Sequence, residues 1–186
     1  TGDESSDNGV IERGFSVNRA GAGVPGVLWR PPEPDGATPL VLMGHGGSGH
    51  KRNERMVQLG RMFSGDYGGC AAAIDGPAHG DRGPVTQSTD PAYREIWQRE
   101  NPVGDMVDDW KAVLDDLSGL ECVDSNRIGY WGVSMGTMLG LPFVASETRI
   151  KTAVLGKAGL TGSSVVRSGI APVFEKYAPM LTQPVM

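Results

Sequence analysis

Continuously apolar runs alternate along the 186-residue chain with segments whose apolar residues recur at helical spacing. The runs at 40–47, 126–134 and 150–159 read LVLMGHGG, NRIGYWGVS and IKTAVLGKAG, and a shorter one, CAAAI, leads into Asp75. Unbroken apolar character is typical of strands that are buried on both faces of a parallel sheet. Because strands and helices alternate, the pattern predicts an α/β sheet with functional loops at the carboxyl ends of its strands.

Three segments are predicted to be helices, at 53–64, 105–117 and 135–146. Asn53 is the predicted N-cap of the first helix, because its side chain can accept a hydrogen bond from the first turn. The second helix has one apolar face, formed by Val107, Trp110, Val113, Leu114 and Leu117. Between the first two helices, residues 83–104 are predicted to be irregular.

The two ends of the chain have a different pattern. Residues 9–17 and 24–31 are predicted to form an antiparallel hairpin, and the polar residues 1–9 are expected to be disordered. Residues 160–180 are predicted to form a loop and a short helix, and residues 181–186 to begin another strand. The predicted fold class is therefore α/β, with a mostly parallel sheet flanked by helices and an N-terminal antiparallel hairpin.

Composition narrows the range of functions. The length and the 39% of hydrophobic residues fit one domain over residues 1–186. The net charge of -5 and the scattered 17 Lys and Arg leave no positive field, so no nucleic-acid partner is expected. No stretch approaches the roughly 20 apolar residues of a membrane-spanning helix. The polar N-terminus is not the apolar core of a secretory signal, but a signal already removed would leave no trace, so the compartment stays open.

The sequence contains no recognisable motif for binding a metal or an organic cofactor. Cys70 and Cys122 stand apart, without a CxxC pair or neighbouring histidines, and are interpreted as buried structural thiols. The glycine-rich residues 44–49 lack the spacing of a phosphate-binding loop. We therefore expect that the protein needs neither a metal nor an organic cofactor.

The motif GVSMG, residues 132–136, places Ser134 between two glycines, after an apolar strand and before a helix. The G-x-S-x-G pattern alone is weak, but a strand, a turn and a helix are the context that a nucleophile elbow requires. Gly132 and Gly136 would let the two backbones pass closely and so lift Ser134 Oγ above the sheet. We therefore predict that Ser134 is a nucleophile.

A second motif, GHGGSG at 44–49, follows the buried strand that begins at residue 40. Its glycines leave the backbone free to turn N–H groups inward, as an oxyanion hole demands. With both motifs in this order, the chain resembles the α/β-hydrolase family, in particular its small esterase-like and dienelactone-hydrolase-like members. The resemblance covers about residues 10–186 and includes the loop DGPAHGDRG.

This resemblance implies the roles of several residues. Ser134 is similar to the family nucleophile, the N–H of Met135 to one oxyanion donor and the N–H of Gly47 to the other, with Ser48 as the neighbouring possibility. Dienelactone hydrolases proper use cysteine at the elbow, so serine favours ordinary ester hydrolysis. The implied reaction is the cleavage of a small carboxylic ester through an acyl-enzyme.

The chain departs from the family in its histidines. The family places an acid and then a histidine after the serine, whereas His45, His50 and His79 all precede Ser134. We therefore interpret the chain as the N-terminal portion of a hydrolase whose last strand–helix units are missing. The acid and the base would come from a complementing C-terminal polypeptide or from a remainder of the sequence.

Further residues are candidates for the pocket or its support. For His45 a structural role in the glycine loop is preferred to that of a substitute base. His79 could line the pocket or lie exposed in its loop. Trp97, one turn after Tyr93, could belong to a lid over an acyl pocket or anchor a short helix. Asp75 is interpreted as the cap of its turn and not as the catalytic acid.

Three alternatives stay open at this point. The same chemistry would serve an amide or peptide bond. The missing base is also compatible with a non-catalytic α/β-hydrolase-like module that binds a ligand. Finally, a truncated sheet would expose an edge after the strand at 150–156 and would require association with a complementing fragment.

Overall fold

The structure, a computed structural model, describes residues 3–157. Within this range seven strands form one sheet in the order β1-β2-β3-β5-β4-β6-β7. The strands are β1 (Glu4–Asp7), β2 (Val10–Arg19), β3 (Ala22–Arg30), β4 (Thr38–Gly44), β5 (Cys70–Ile74), β6 (Val123–Val133) and β7 (Ile150–Gly156). The helices are α1 (Glu54–Arg61), α2 (Pro91–Gln98), α3 (Pro102–Leu117) and α4 (Met135–Ser146). The predictions for 160–180 and 181–186 lie outside the described residues.

Strand directions confirm the predicted α/β class. β4 runs parallel to β5 on one side and to β6 on the other, and β7 extends the parallel part beside β6. β1, β2 and β3 are antiparallel, and β3 also pairs antiparallel with β5. The carboxyl ends of β4, β5 and β6 lie side by side, at Gly44, Ile74 and Val133, so the loops that follow them meet at one edge of the sheet.

Helices cover both faces of the sheet. On one face Met56 of α1 packs with Trp29 and Met43 of the sheet. On the other face Trp110 of α3 and Phe143 of α4 are fully buried and pack against Tyr130, with ring centroids 5.6–6.0 Å apart. Full burial of a side chain such as Phe143 contributes about 1.5–3 kcal/mol, so these contacts fix both helices on the sheet.

The expectation of disorder over residues 1–9 is wrong for residues 4–7, which form β1. This strand is exposed and polar, and it is held by pairing with β2 instead of by apolar burial. Two ion pairs support it, from Arg30 to Glu4 at 3.6 Å and from Arg61 to Asp7 at 2.8 Å. Because ladder hydrogen bonds need no apolar side chains, the hydropathy pattern gave no sign of this strand.

The segment 83–104, predicted to be irregular, contains α2. Pro91 lies in its first turn, where a missing N–H has no cost, and Asp90 precedes it. Ile96 is fully buried and packs with Ala78 and Val85 of the loop after β5. The helix is only eight residues long, so its apolar periodicity is too short to stand out in the sequence.

None of the helices within residues 3–157 is long and apolar enough to span a membrane. Within the same residues, no group of three or more His, Cys, Asp or Glu side chains is arranged to hold a metal ion.

The predicted N-cap of α1 provides a test of the fold. Asn53 Oδ1 accepts the N–H of Met56 at 3.1 Å. We expect Asn53→Ala to lower the free energy of unfolding by about 1 kcal/mol, because one donor of the first turn loses its acceptor. Asn53→Asp keeps the acceptor and should stay close to the wild type. Urea unfolding of the three proteins measures the effect, and equal losses in both variants would contradict it.

Candidate active site

Ser134 lies at the junction between β6 and α4 in a backbone conformation that serine rarely adopts. Its φ is 54° and its ψ is -113°, whereas L-residues normally avoid positive φ. Its N–H donates to the carbonyl of Gly156 at 2.9 Å, and the N–H of Met138 donates to its carbonyl at 3.0 Å. Both hydrogen bonds hold the strained residue between strand and helix, with its side chain half-buried at the edge of the sheet.

Glycine is required where α4 passes the ends of the strands. A Cβ added at Gly136 would overlap the carbonyl of Gly44, and one added at Gly132 would lie 2.9 Å from the carbonyl oxygen of Gly136. Tyr130 Oη donates to that same Gly136 oxygen at 2.7 Å. The turn around Ser134 therefore depends on the absence of side chains at both glycines of the elbow.

The loop after β4 lies beside the serine. A Cβ built at Gly46 would be 3.9 Å from Ser134 Cβ, so the backbone of this loop is adjacent to the elbow. Gly47 is buried, and Ser48 is exposed, with its hydroxyl accepting the N–H of Ser88 at 2.9 Å. Met135 begins α4, where the first N–H groups of a helix have no acceptor within it. The loop after β4 and the N-terminus of α4 are thus the two elements beside Ser134.

His45 holds this loop through both nitrogens of its ring. Nε2 accepts the N–H of Gly76 at 2.8 Å, which assigns the proton to Nδ1, and Nδ1–H donates to the carbonyl of Gly46 at 2.8 Å. Burial lowers the pKa of His45 to about 4, so the ring is neutral around pH 7. With both nitrogens engaged, His45 has no lone pair free to accept a proton from Ser134.

His79 is fully buried in the loop after β5 and continues a row of rings. The ring centroids of His45 and His79 are 5.2 Å apart, those of His79 and Tyr93 6.0 Å, and those of Tyr93 and Trp97 5.9 Å. The expectation that His79 could be a solvent-exposed loop histidine is therefore wrong. Tyr93 lies against Gly47, since a Cβ there would meet the tyrosine ring at 2.6 Å. Tyr93 and Trp97 thus anchor α2 onto the loop.

A buried ion pair, missed from the sequence, connects the same two loops. Lys51 and Asp75 are almost fully buried, and Lys51 Nζ lies 2.5 Å from Asp75 Oδ2 and 2.6 Å from Asp81 Oδ2. Asp75 also accepts the N–H groups of Lys51 and Asp81, so it caps its turn as interpreted. Hydrogen bonding to Lys51 lowers the pKa of Asp81. Neither the spacing of Lys51 nor its neighbours in the sequence indicated burial.

A second buried carboxylate, Asp109 of α3, is connected through Arg82 to the loop that contains Asp75. It pairs with Arg82 at 2.7 Å and with Arg19, and Arg82 also donates to the carbonyl of Asp75 at 3.1 Å. Asp109 is fully buried, and its two cationic partners compensate for its desolvation. One hint is present in the sequence, because Asp109 precedes Trp110 close to the apolar face of the predicted helix.

Ser134 Oγ has no hydrogen-bond partner within residues 3–157. His45 and His79 are engaged with the loop backbone, and His50 is exposed and accepts the N–H of Arg52 at 3.3 Å. The described part of the chain therefore brings together the predicted nucleophile and the backbone donors, but no base.

The close passage of α4 can be tested by adding a single methyl group. We expect Gly136→Ala to lower the free energy of unfolding by about 3 kcal/mol or more, because rigid backbone of Gly44 occupies the space. Gly119→Ala is the matched control, with only the Asp116 carbonyl at 3.4 Å, and should change it by less than about 0.5 kcal/mol. Guanidinium unfolding gives both values, and a mild effect at Gly136 would contradict the structure.

The buried neutral His45 predicts a pH dependence of stability. Its pKa is about 4 in the folded protein and near 6.5 when unfolded, so the unfolded state binds the proton first as the pH falls. The contribution of neutral His45 to the free energy of unfolding is complete above pH 6.5 and is lost as the pH falls towards 4. In total it is about 3 kcal/mol. His45→Asn should flatten this part of the profile in urea unfolding, whereas loss of the exposed His50 should not. Parallel profiles for wild type and His45→Asn would refute the assignment.

Comparison with known proteins finds relatives among solved structures, whereas no protein-family model and no curated protein matches the chain. A cold-adapted esterase from an Arctic intertidal metagenomic library is 40% identical, with a TM-score of 0.79, and the match covers 100% of this chain and 74% of that one. A protein assigned as a dienelactone hydrolase from Klebsiella pneumoniae is 22% identical, with a TM-score of 0.67, over 83% of this chain and 62% of that one.

A third similar structure is that of Est1E from Butyrivibrio proteoclasticus with ferulic acid, 19% identical at a TM-score of 0.60, over 76% of this chain and 51% of that one. These last two likenesses support the fold alone. The match to the metagenomic esterase, at 40% identity, covers the whole chain. The chain therefore belongs to the carboxylic-ester hydrolases of the α/β-hydrolase family, among its esterases.

Proposed function

We propose that the protein hydrolyses small carboxylic esters through an acyl-enzyme on Ser134. The backbone conformation of Ser134, with φ at 54°, is the observation that carries this proposal. A positive φ in serine is costly, and such strain persists mainly where the position of a side chain matters. A serine needed only to fill a turn would be replaced more favourably by glycine, which adopts the same conformation without strain.

The reaction has two balanced steps. Ser134 Oγ attacks the ester carbonyl carbon while a base takes the hydroxyl proton, and the alcohol leaves with that proton as its C–O bond breaks. Water then attacks the acyl-serine, the base takes a proton from the water, and the carboxylic acid is released as Ser134 regains its hydrogen. Neither step requires a metal or an organic cofactor.

The oxyanion of each tetrahedral intermediate would be held by the N–H groups of Met135 and Gly47. Support comes from the position of Met135 at the N-terminus of α4 and from the nearness of Gly46 to the elbow, since a Cβ built at Gly46 would lie 3.9 Å from Ser134 Cβ. Each preorganised donor contributes about 3 kcal/mol to the lowering of the barrier. The positive end of the α4 dipole adds to the same effect.

The base and its acid partner come, in this proposal, from outside the 186 residues. The three histidines of the chain are His45, His50 and His79, and none of them contacts Ser134 Oγ. A later part of the sequence, or a complementing polypeptide, would supply a histidine over the loop edge of the sheet. The comparisons give no support for a complementing polypeptide.

A non-catalytic binding module is the second candidate, because Ser134 Oγ lacks a partner within residues 3–157. In this case the loops at the carboxyl edge of the sheet would hold a ligand without turnover. The two candidates differ in the reactivity of Ser134, since only an activated serine reacts with a fluorophosphonate.

The first experiment is intact mass spectrometry of the purified protein before and after treatment with a fluorophosphonate. The esterase should gain the mass of one adduct at Ser134, and Ser134→Ala should gain none. Hydrolysis of a short-chain aryl ester should fall by on the order of 10⁶-fold in the same variant.

Ser146→Ala is the matched control, because Ser146 lies at the far end of α4 and its hydroxyl donates to the Phe143 carbonyl at 3.3 Å, its single hydrogen bond within residues 3–157. It should label and hydrolyse like the wild type. The test should use the folded protein together with every chain that copurifies with it. If the fluorophosphonate does not label Ser134 in that sample, the esterase proposal fails and the binding module is favoured.

A further inference from the structure

We propose that His79 is a positioning residue that sets the geometry of the oxyanion hole. The inference rests on the proposed function and concerns a histidine that takes no part in proton transfer. His79 Nε2 lies 3.1 Å from the carbonyl oxygen of Gly47, and because a carbonyl oxygen can only accept, we assign a proton to Nε2. Within residues 3–157 no other donor reaches this carbonyl, although Gly47 is buried. The ring is therefore the sole described support of the peptide that joins Gly47 to Ser48.

The planarity of the peptide bond makes this support relevant to the donors. In a trans peptide the C=O and the following N–H point in opposite directions, so holding a carbonyl also orients the next N–H. His45 Nδ1 and the N–H of Gly49 hold the carbonyl of Gly46, at 2.8 and 2.9 Å, and thereby orient the N–H of Gly47. His79 in the same way orients the N–H of Ser48.

Gly47 lies between these two peptide planes. A glycine rotates more freely about φ and ψ than any other residue, so a single fixed plane would not define its conformation. With the preceding plane held by His45 and the following one by His79, both dihedral angles of Gly47 are fixed. The direction of the proposed donor then stays constant while charge develops on the substrate oxygen, which is the preorganisation that such a site needs.

The ring of His79 is itself held in place. It is fully buried, its Nδ1 lies 2.8 Å from the carbonyl oxygen of Pro77, and the edge of Tyr93 packs against it at 89°. Tyr93 also covers Gly47, so the tyrosine closes the loop and the histidine on the same side. Both ring nitrogens face backbone carbonyl oxygens, and neither hydrogen-bonds to Ser134 Oγ.

Two variants separate the bonds that the ring makes. The side-chain amide of Gln places its nitrogen near the position of Nε2, whereas that of Asn places it near Nδ1. His79→Gln can therefore keep the donor to Gly47, and His79→Asn only the donor to Pro77. Both variants should be made in protein that includes the histidine acting as the base. Steady-state hydrolysis of a short-chain aryl ester then gives kcat and KM, and thermal unfolding gives the stability of each variant.

We expect kcat of His79→Asn to fall by about 10- to 100-fold, less than the roughly 10²- to 10³-fold cost of removing an oxyanion donor because the donor is misdirected and not lost, with KM little changed. His79→Gln should recover most of kcat, although both variants lose a ring and should be destabilised to a similar extent. Asp81→Asn is the control for a weakened connection between the same two loops, since Asp81 pairs with Lys51 at 2.6 Å. It should leave kcat unchanged.

The alternatives give different results. Equal kcat for the Gln and Asn variants, or a lower kcat for Gln, would overturn the role of the Gly47 bond. If kcat falls as much in Asp81→Asn as in His79→Asn, the stability of the two loops alone accounts for the effect. This result would also overturn the role of the Gly47 bond. The proposed function is tested separately, because Ser134→Ala removes all turnover if that function is right, whatever the His79 variants show.

Discussion

The first turn of α4 passes so close to the end of β4 that no side chain fits between them. The backbone of Gly136 lies against the carbonyl of Gly44, and Gly132 faces the carbonyl of Gly136 from the end of β6. This approach forces the chain to reverse within one residue, and that residue, Ser134, takes a φ of 54°. Such a conformation costs about 1–3 kcal/mol. Hydrogen bonds from Tyr130 and Thr137 to backbone carbonyls of the elbow offset it, at 2.7 and 2.9 Å.

The loops above the elbow depend on a second constraint, the connection between the ends of β4 and β5. His79 bonds to the backbone of the β4 loop, and Lys51 from the same loop reaches the carboxylate of Asp75. A buried ion pair of this kind adds little net stability, because desolvation opposes its attraction. It does penalise any arrangement in which one partner is left alone, so it favours a single geometry of the two loops. Asp109 and Arg82 extend the same restraint to α3.

The elements predicted from the sequence are those whose signal is local. β4 and β6 are continuous apolar runs, the cap of α1 is one residue with its acceptor, and the elbow is a five-residue motif. The features that were missed depend on partners distant in the sequence. β1 is polar and is held by pairing with β2, and the burial of His79 depends on Gly47 and Tyr93, 32 and 14 positions away in the chain. Neither feature has a periodicity or spacing that one segment could reveal.

The order of the strands in the sheet determines which elements can supply each part of the proposed site. Neighbouring parallel strands bring the proposed nucleophile and the proposed oxyanion donors together, because β4 and β6 are paired from Leu40 and Ile128 to Gly44 and Gly132. A base must instead approach Ser134 Oγ from above the sheet edge, where the described loops supply only backbone and histidines already bound to it. In serine hydrolases generally, oxyanion donors and substrate binding retain about 10³- to 10⁴-fold of rate enhancement when a triad member is lost. In the proposed function the described residues form the electrostatic half of an esterase site, and contacts among these residues themselves hold its backbone in place.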